Sequence, residues 1–219
     1  MPVALWALTT LDAVKDELGI TDDSEDNRLS RMINAWSQRF DTETSRKLAR
    51  ASYVESIAAQ GGLWLNLAQY PVTSVESVVV DDATLVADDD YTLYPMNGQL
   101  WRSEKWRWAA GCHPDLTGDR DPYANGLNVT VTYIAGYVTP AMAEDDSSLI
   151  RDLPYDLEDG VIRGVVFSYQ NAPGVKMEQT AGGRRTQLFD PLKGGDHGIL
   201  AELEPLWASY RKHDRSSAA

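Results

Sequence analysis

The strongest constraint on the fold is a change in hydrophobic spacing along the chain. Apolar residues recur at helical intervals in the first 50 residues, alternate with a period of two in much of 51–139, and return to helical intervals afterwards. This order predicts an α+β fold in which an N-terminal helical hairpin and C-terminal helices form a small bundle. An antiparallel sheet or sandwich of about five or six strands is inserted between them.

The same pattern predicts three regions. Residues 1–50 and 140–171 are expected to form the helical core, and residues 51–139 the β-rich domain. Residues 172–219, which are rich in glycine and basic residues over 172–198, are expected to be a flexible arm followed by a C-terminal helix. Leu203 and Trp207 lie in that helix, and Pro205 is expected near its first turn.

Local signals mark the first two helices. Thr9 or Thr10 can cap a short first helix that stops at Gly19, and Asp22 followed by Glu25 resembles a capping box for a longer second helix. The second helix carries an apolar stripe at spacings of four, three and four, which predicts the helical core: Leu29, Ile33, Trp36 and Phe40.

Turn signals divide the β-rich region. Residues 52–57 and 63–67 are expected to pair as a hairpin around two glycines, because glycine permits a tight turn. Asn97-Gly98 predicts a second hairpin, and residues 127–134 alternate as a strand should.

Two glycines interrupt the helix predicted over 157–169. Gly160 and Gly164 are spaced so that another helix could approach closely, but in a soluble protein such glycines more often only weaken the helix.

The charge is unevenly distributed. The formal charge is −13, and residues 51–150 hold 14 acidic against 4 basic residues, so 10 of the excess negative charges lie there. This surface repels phosphate backbones and excludes tight nucleic-acid binding, although DNA could slide past such a wall without adhering. The residues predicted to face such a channel are Asp81, Asp82, Asp88, Asp89 and Asp90.

Reactive residues show no catalytic or metal-binding spacing. The single cysteine excludes an internal disulfide or a multi-thiolate site, and the three histidines lack ligand spacing. Cys112, His113 and Asp115 are neighbours, but the sequence shows no nucleophile elbow around them. We predict no catalytic, metal or cofactor site, and therefore no enzyme. No basic leader and no apolar run of about 20 residues is present, so we expect neither export nor membrane insertion.

Aromatic residues and an arginine pair are candidates for contacts. Trp106 and Trp108 lie in a long predicted loop over 103–126 and could contact a partner protein. Together with Tyr123 they could instead stack on sugars, which keeps a glycan-binding β module on a virion or cell surface as the alternative function. Gly182-Gly183-Arg184-Arg185 is a poor phosphate loop and is better read as an arm that orders on a partner.

Several segments together resemble the head-tail connector (adaptor, or head-completion) proteins of long-tailed phages. The resemblance covers residues 9 to about 171 and depends on the order and spacing of short motifs. The opening is similar in residues 11–26, which include LDAVK and ITDDSED. The strands are similar in YPVTSVESV (70–78) and VTVTYIAGY (129–137), and the returning helix is similar in residues 153–169.

The resemblance implies a structural protein of the virion neck, made in the host cytoplasm. Such a protein forms a ring of identical subunits with twelve-fold symmetry beneath the portal and continues its DNA channel, without sequence-specific DNA binding. A tail-side neck or tail-terminator protein docks on the ring. Connectors of this kind often reach the portal with C-terminal segments, which here implies as portal contacts Arg184, Arg185, Trp207, Tyr210 and Arg211.

Overall fold

The computed structural model of the protein describes residues 2–107, 128–171 and 198–211. Its chain divides into two compact units. The helical unit combines Met1–Leu48 with Val138–Arg211, and the β-rich unit is formed by Ala49–Tyr137. The β-rich unit is thus inserted between the two halves of the helical unit. The mixed architecture with antiparallel sheets agrees with the α+β class.

Five helices belong to the helical unit. They are α1 (Leu11–Leu18), α2 (Asp26–Thr44), α3 (Pro140–Asp145), α4 (Tyr155–Gln170) and α5 (Ile199–Tyr210). Helix α4 packs against α1, α2 and α5, and α2 also packs against α1 and α5. Leu29, Ile33, Trp36 and Phe40 are all buried along one side of α2, as the apolar stripe predicts.

Local chemistry sets the ends of α1 and α2. The Thr10 hydroxyl accepts a hydrogen bond from Ala13 N, and Gly19 ends α1 in the left-handed conformation at φ 67°. The predicted capping box is wrong: Glu25 precedes α2 without a side-chain cap, and Asp22 instead accepts from the backbone and hydroxyl of Ser24. A two-residue Asx turn therefore competes successfully with the cap.

Lys15 links α1 to the start of α2. Its ammonium donates to Asp26 and Asp23, both at 2.9 Å. These hydrogen bonds, the one to Asp26 being the stronger influence, raise the pKa of Lys15, so this group stays charged throughout the physiological range.

The β-rich unit contains two antiparallel sheets. One has the strand order β1-β7-β3-β4, formed by Ala51–Ile57, Val129–Ala135, Val72–Val80 and Ala83–Leu85. The other has the order β2-β6-β5, formed by Trp64–Asn66, Gln99–Trp101 and Thr92–Tyr94. Inward residues of both sheets, such as Val131 and Leu100, belong to one hydrophobic core. The described residues thus hold seven strands where five or six were expected.

The predicted pairing of residues 52–57 with 63–67 is wrong. Strand β1 pairs along its whole length with β7, from Ala51 opposite Ala135 to Ile57 opposite Val129, whereas β2 pairs with β6. The Tyr133 hydroxyl of β7 donates to the Glu55 carboxylate of β1 at 2.9 Å. Burial and polar pairing across distant strands override the local turn signal. The hairpin at Asn97-Gly98 is confirmed, since β5 pairs with β6 around it.

Two short elements follow local signals in the sequence, and the first of them, a turn at Asp81-Asp82 after the third strand, is a confirmed prediction. Asp81 and Asp82 both have positive φ, at 47° and 70°, which is the two-residue turn that connects β3 to β4. Helix α3 begins where the Thr139 hydroxyl accepts from Met142 N, with Pro140 in its first turn.

Pro205 lies inside α5, not near its first turn as expected. The helix begins at Ile199, six residues earlier. Ile199, Leu203 and Trp207 are all buried, so packing on both sides of the proline holds the helix together across it.

Gly160 and Gly164 allow α4 to approach its neighbours closely, which is the reading the sequence disfavoured. A Cβ atom on Gly164 would lie 2.6 Å from the Trp36 ring, and one on Gly160 would lie 2.8 Å from Phe40 and Leu206 side-chain atoms. The Trp36 ring is held by a 2.9 Å hydrogen bond from its indole N–H to the Ser168 hydroxyl. The backbone of α4 therefore packs directly on the aromatic stripe of α2.

Replacing Gly164 with alanine should lower the free energy of unfolding by about 1–3 kcal/mol, because the added methyl group overlaps a fixed ring. This loss should exceed the gain of up to about 1 kcal/mol that alanine brings to a helix. Chemical denaturation of Gly164→Ala measures this loss of stability. In the double variant Gly164→Ala/Trp36→Leu, the smaller leucine side chain should remove most of the steric penalty of the added methyl group. A Gly164→Ala protein more stable than the parent would contradict this packing.

Candidate assembly surfaces

The five aspartates predicted to line a channel all belong to the β-rich unit and are all exposed. Asp81 and Asp82 form the β3–β4 turn, and Asp88, Asp89 and Asp90 lie in the connection from β4 to β5. The connection is ordered by its own polar groups, because Val86 N donates to the Asp90 carboxylate at 2.7 Å. Both groups of carboxylates are therefore held on short, defined turns.

The negative charge of this region acts on a neighbouring side chain. Burial, and secondarily the charge of Asp88, raise the pKa of Tyr91. Tyr91 is itself buried in the core of the unit. The aspartates thus stand at the surface immediately beside the β-rich core.

Two of the portal-contact candidates are engaged within the helical unit. The Tyr210 hydroxyl donates to the Asp156 carboxylate at 3.0 Å. Arg211 donates through Nη2 to Glu204 at 2.9 Å and through Nε to the Glu43 carbonyl at 3.0 Å. Both side chains fix the end of α5, and Arg211 is itself exposed. Arg184 and Arg185 lie outside the described residues.

Trp207 is a core residue, so its predicted role as a portal contact does not fit the structure. Its side chain is 2% exposed and its ring meets Phe40 edge to face, with centroids 5.5 Å apart. The Arg39 guanidinium lies 5.9 Å from the same ring. Its indole N–H is buried with no acceptor among the described residues, so its contribution there is apolar. Burial of this large apolar side chain on the inner face of α5 stabilises the helical unit, and it leaves almost no surface for contact with a partner.

Trp106 is likewise buried, against the expectation that it contacts a partner from an exposed loop. It is 1% exposed within the core of the β-rich unit, where its indole N–H donates to the Leu63 carbonyl at 3.2 Å. Trp106 N also donates to the Gly62 carbonyl at 2.9 Å, which holds the segment against the start of β2. Trp108 and Tyr123 lie outside the described residues. The glycan-binding alternative therefore loses one of its three proposed stacking residues.

Potential metal ligands are not clustered in the described part of the chain. No group of three or more histidine, cysteine, aspartate or glutamate side chains is placed there to hold a metal ion. Cys112, His113 and Asp115 lie outside the described residues. Among the helices that the structure describes, none is long and apolar enough to span a membrane.

An exposed aromatic surface on the three-stranded sheet was not predicted. Its two exposed rings, which we call the sheet patch, belong to Trp64 and Tyr94. The Trp64 and Tyr94 rings meet edge to face at 5.0 Å. Alternation in β2 is the signal that could have identified it: Leu65 is buried, so Trp64 must lie on the opposite face.

A second exposed apolar surface lies on the helical unit. Its members, which we call the N-terminal patch, are Leu5, Trp6, Ile150 and Tyr155. The Leu5 carbonyl accepts from the Thr139 hydroxyl at 2.8 Å, and Leu153 N donates to the Val138 carbonyl at 3.3 Å. These contacts bring the two segments together beside Val138 and Thr139. No sequence period joins segments so far apart, so this patch could not be predicted.

The first comparison with known proteins is a family match. Residues 8–80 match the family model described as phage gp6-like head-tail connector protein. This match confirms the resemblance to head-tail connectors. It spans α1, α2 and the first three strands, which include two of the four segments on which the resemblance was based.

The second comparison is a likeness in fold to a solved structure, and it extends over the whole chain. A chain in the neck of an empty GTA particle, computed with C6 symmetry, matches with a TM-score of 0.53 at 17% identity. The match covers 100% of this chain and 96% of that chain. At this identity the likeness concerns the fold. No curated protein matches the sequence.

Proposed function

We propose that this protein is a head-tail connector, a structural subunit of the virion neck that forms a ring between the portal and the tail. The observation that carries the proposal is the family match over residues 8–80, within a chain whose whole fold is similar to a neck protein. Both comparisons concern proteins of the same part of a phage-like particle. A connector acts through contacts, so we propose no enzymatic activity.

The ring would be a dodecamer that continues the DNA channel below the portal and carries a tail-side neck or tail-terminator protein. The related neck structure was computed with C6 symmetry, and a twelve-fold ring contains that symmetry. The exposed aspartates at 81, 82 and 88–90 support the channel role, because a wall of fixed negative charge lets DNA pass without adhering. Arg184, Arg185, Tyr210 and Arg211 are the proposed portal contacts.

The proposal is tested by mixing the purified protein with the portal protein of the same phage. Native mass spectrometry should show a multiple of this chain on the portal, and negative-stain images should show an added ring coaxial with it. A portal-sized ring protein from an unrelated phage is the control for non-specific stacking. A protein that stays monomeric and ignores its own portal would refute the assignment.

A further inference from the structure

The four-stranded sheet has one long open edge. In the order β1-β7-β3-β4, strand β1 pairs with β7 on one side, and no strand of the described residues lies on its other side. Strand β1 has seven residues, whereas the other edge strands, β4, β2 and β5, have three residues each. Very short edge strands are one of the ways in which proteins avoid pairing with other chains. Strand β1 lacks this protection.

Other protective features are also missing from β1. Its sequence, ASYVESI, contains no proline and no lysine, and its ladder with β7 keeps one register from Ala51 to Ile57. The ladder of β3 with β7, by contrast, contains two register shifts. Val54, in the middle of β1, is 71% exposed, and Ser52 and Ser56 are exposed as well. Because alternate N–H and C=O groups of an edge strand point away from the sheet, this edge is a regular template for a further strand.

Negative charge is concentrated away from this edge. Strands β1 and β7 together contain one charged residue, Glu55, whose carboxylate accepts hydrogen bonds from the Tyr133 hydroxyl at 2.9 Å and from Ala68 N at 2.8 Å. Asp81 and Asp82 lie in the β3–β4 turn, and β7 separates β3 from β1. Each copy carries a formal charge of −13, so two copies approach each other at least cost along an edge of this kind.

We propose that β1 pairs antiparallel with β1 of a second copy, which joins the two sheets into one continuous sheet. In the register centred on Val54, Ser52 lies opposite Ser56 of the second copy, and Tyr53 lies opposite Glu55 of the second copy. No two charges then face each other, whereas a register centred on Glu55 would bring two carboxylates together. This pairing goes beyond the proposed function and does not depend on it, because it needs neither the portal nor a ring.

The features of the edge select a second copy as the occupant. A strand that fills this edge must be about as long as β1, open along one side and almost free of charge. Among the described edge strands only β1 meets these conditions, since β4, β2 and β5 are too short. The contact uses the same edge of both copies, so it stops at a dimer and does not propagate. Seven paired residues form a small interface, which predicts a weak dimer that depends on protein concentration.

Single-cysteine proteins test the register directly. In a Cys112→Ser background, Val54→Cys, Ser52→Cys and Ser56→Cys are treated separately with a short thiol-to-thiol cross-linker, and the last two also as a mixture. Val54→Cys should link to itself, because the two-fold axis places its two copies opposite each other. Ser52→Cys and Ser56→Cys should link in the mixture and far less alone. The matched control is Val86→Cys, which is exposed in the same unit outside β1 and should not link.

A charge at the centre of the edge gives a second, quantitative test. Val54→Lys should weaken dimerisation about tenfold or more, because two like charges would lie opposite each other. Val54→Thr keeps a neutral β-branched side chain and should change dimerisation about twofold at most. Val86→Lys adds the same charge elsewhere on the unit and should also stay within about twofold. Sedimentation velocity over a concentration series, without portal, measures all three.

The outcomes decide the pairing separately from the ring, because no portal is present. A parent protein that stays monomeric across the series, with no cross-link in Val54→Cys, would overturn it. A dimer that forms equally well in Val54→Lys would also overturn it, because the contact would then lie elsewhere. Circular dichroism should show that Val54→Lys melts like the parent, since the side chain is exposed. If that variant misfolds, self-linking of Val54→Cys decides the question.

Discussion

Replacing Trp106 with alanine should lower the free energy of unfolding of the β-rich unit by about 3–5 kcal/mol, the usual cost of removing a buried tryptophan. The ring lies within the core beside residues of both sheets, and its N–H group satisfies the Leu63 carbonyl. The change would therefore leave a large cavity and an unpaired carbonyl. Hydrogen exchange followed by mass spectrometry should show the greatest loss of protection in β3, β6 and β7.

Trp64→Ala is the matched control, because it removes the same side chain from the exposed face of the same unit. Its cost should be about 1 kcal/mol or less, mainly from the lost contact with Tyr94. If Trp106→Ala were as mild as Trp64→Ala, Trp106 would not be a core residue, and the loop-interface hypothesis would regain its basis.

Replacing Trp207 with alanine should cost the helical unit about 3–5 kcal/mol and release α5 from α2 and α4. Trp207 meets Phe40 at 5.5 Å and is the largest buried side chain of α5, whose interior proline already weakens the helix. Without this anchor, the helix is too short to persist alone in water. Circular dichroism should show a lower melting temperature with reduced helical signal.

Ile150→Ala provides the control for this change, because Ile150 is exposed in the same unit. Its effect on stability should stay within about 0.5 kcal/mol. Hydrogen exchange separates local from global effects: α5 should lose protection first in Trp207→Ala. Full protection of α5 in that variant would show that its other contacts suffice and that Trp207 is free to serve a partner.

The parts of the fold that the sequence predicts are those with local causes. The Thr10 cap, the Gly19 stop, the stripe of α2 and the Asn97-Gly98 hairpin each depend on residues a few positions apart. The partner of β1 depends on Tyr133, some 80 positions away, and the glycines at 61 and 62 favoured the wrong neighbour. Distant pairing is decided by burial, which a local pattern does not contain.

The residues predicted to make contacts also divide into those with a local signal in the sequence and those whose position depends on distant packing. Charge predicted the exposed aspartates, because a run of acids in a turn is almost always solvated. Trp106 and Trp207 were misassigned because a tryptophan in an irregular or short segment carries no period that tells core from surface. The N-terminal patch joins residues 5–6 with residues 150–155, a proximity created only by the folded helical unit.

The interrupted helical unit has a consequence for how the protein is made. Helices α1 and α2 leave the ribosome first, but α4 and α5, which cover them, follow only after the entire inserted β-rich unit, a delay on the order of ten seconds at ordinary rates of translation. The apolar side of α2 stays uncovered during this interval, when chaperones have access to it. A prematurely terminated chain that lacks α4 and α5 cannot complete the helical unit.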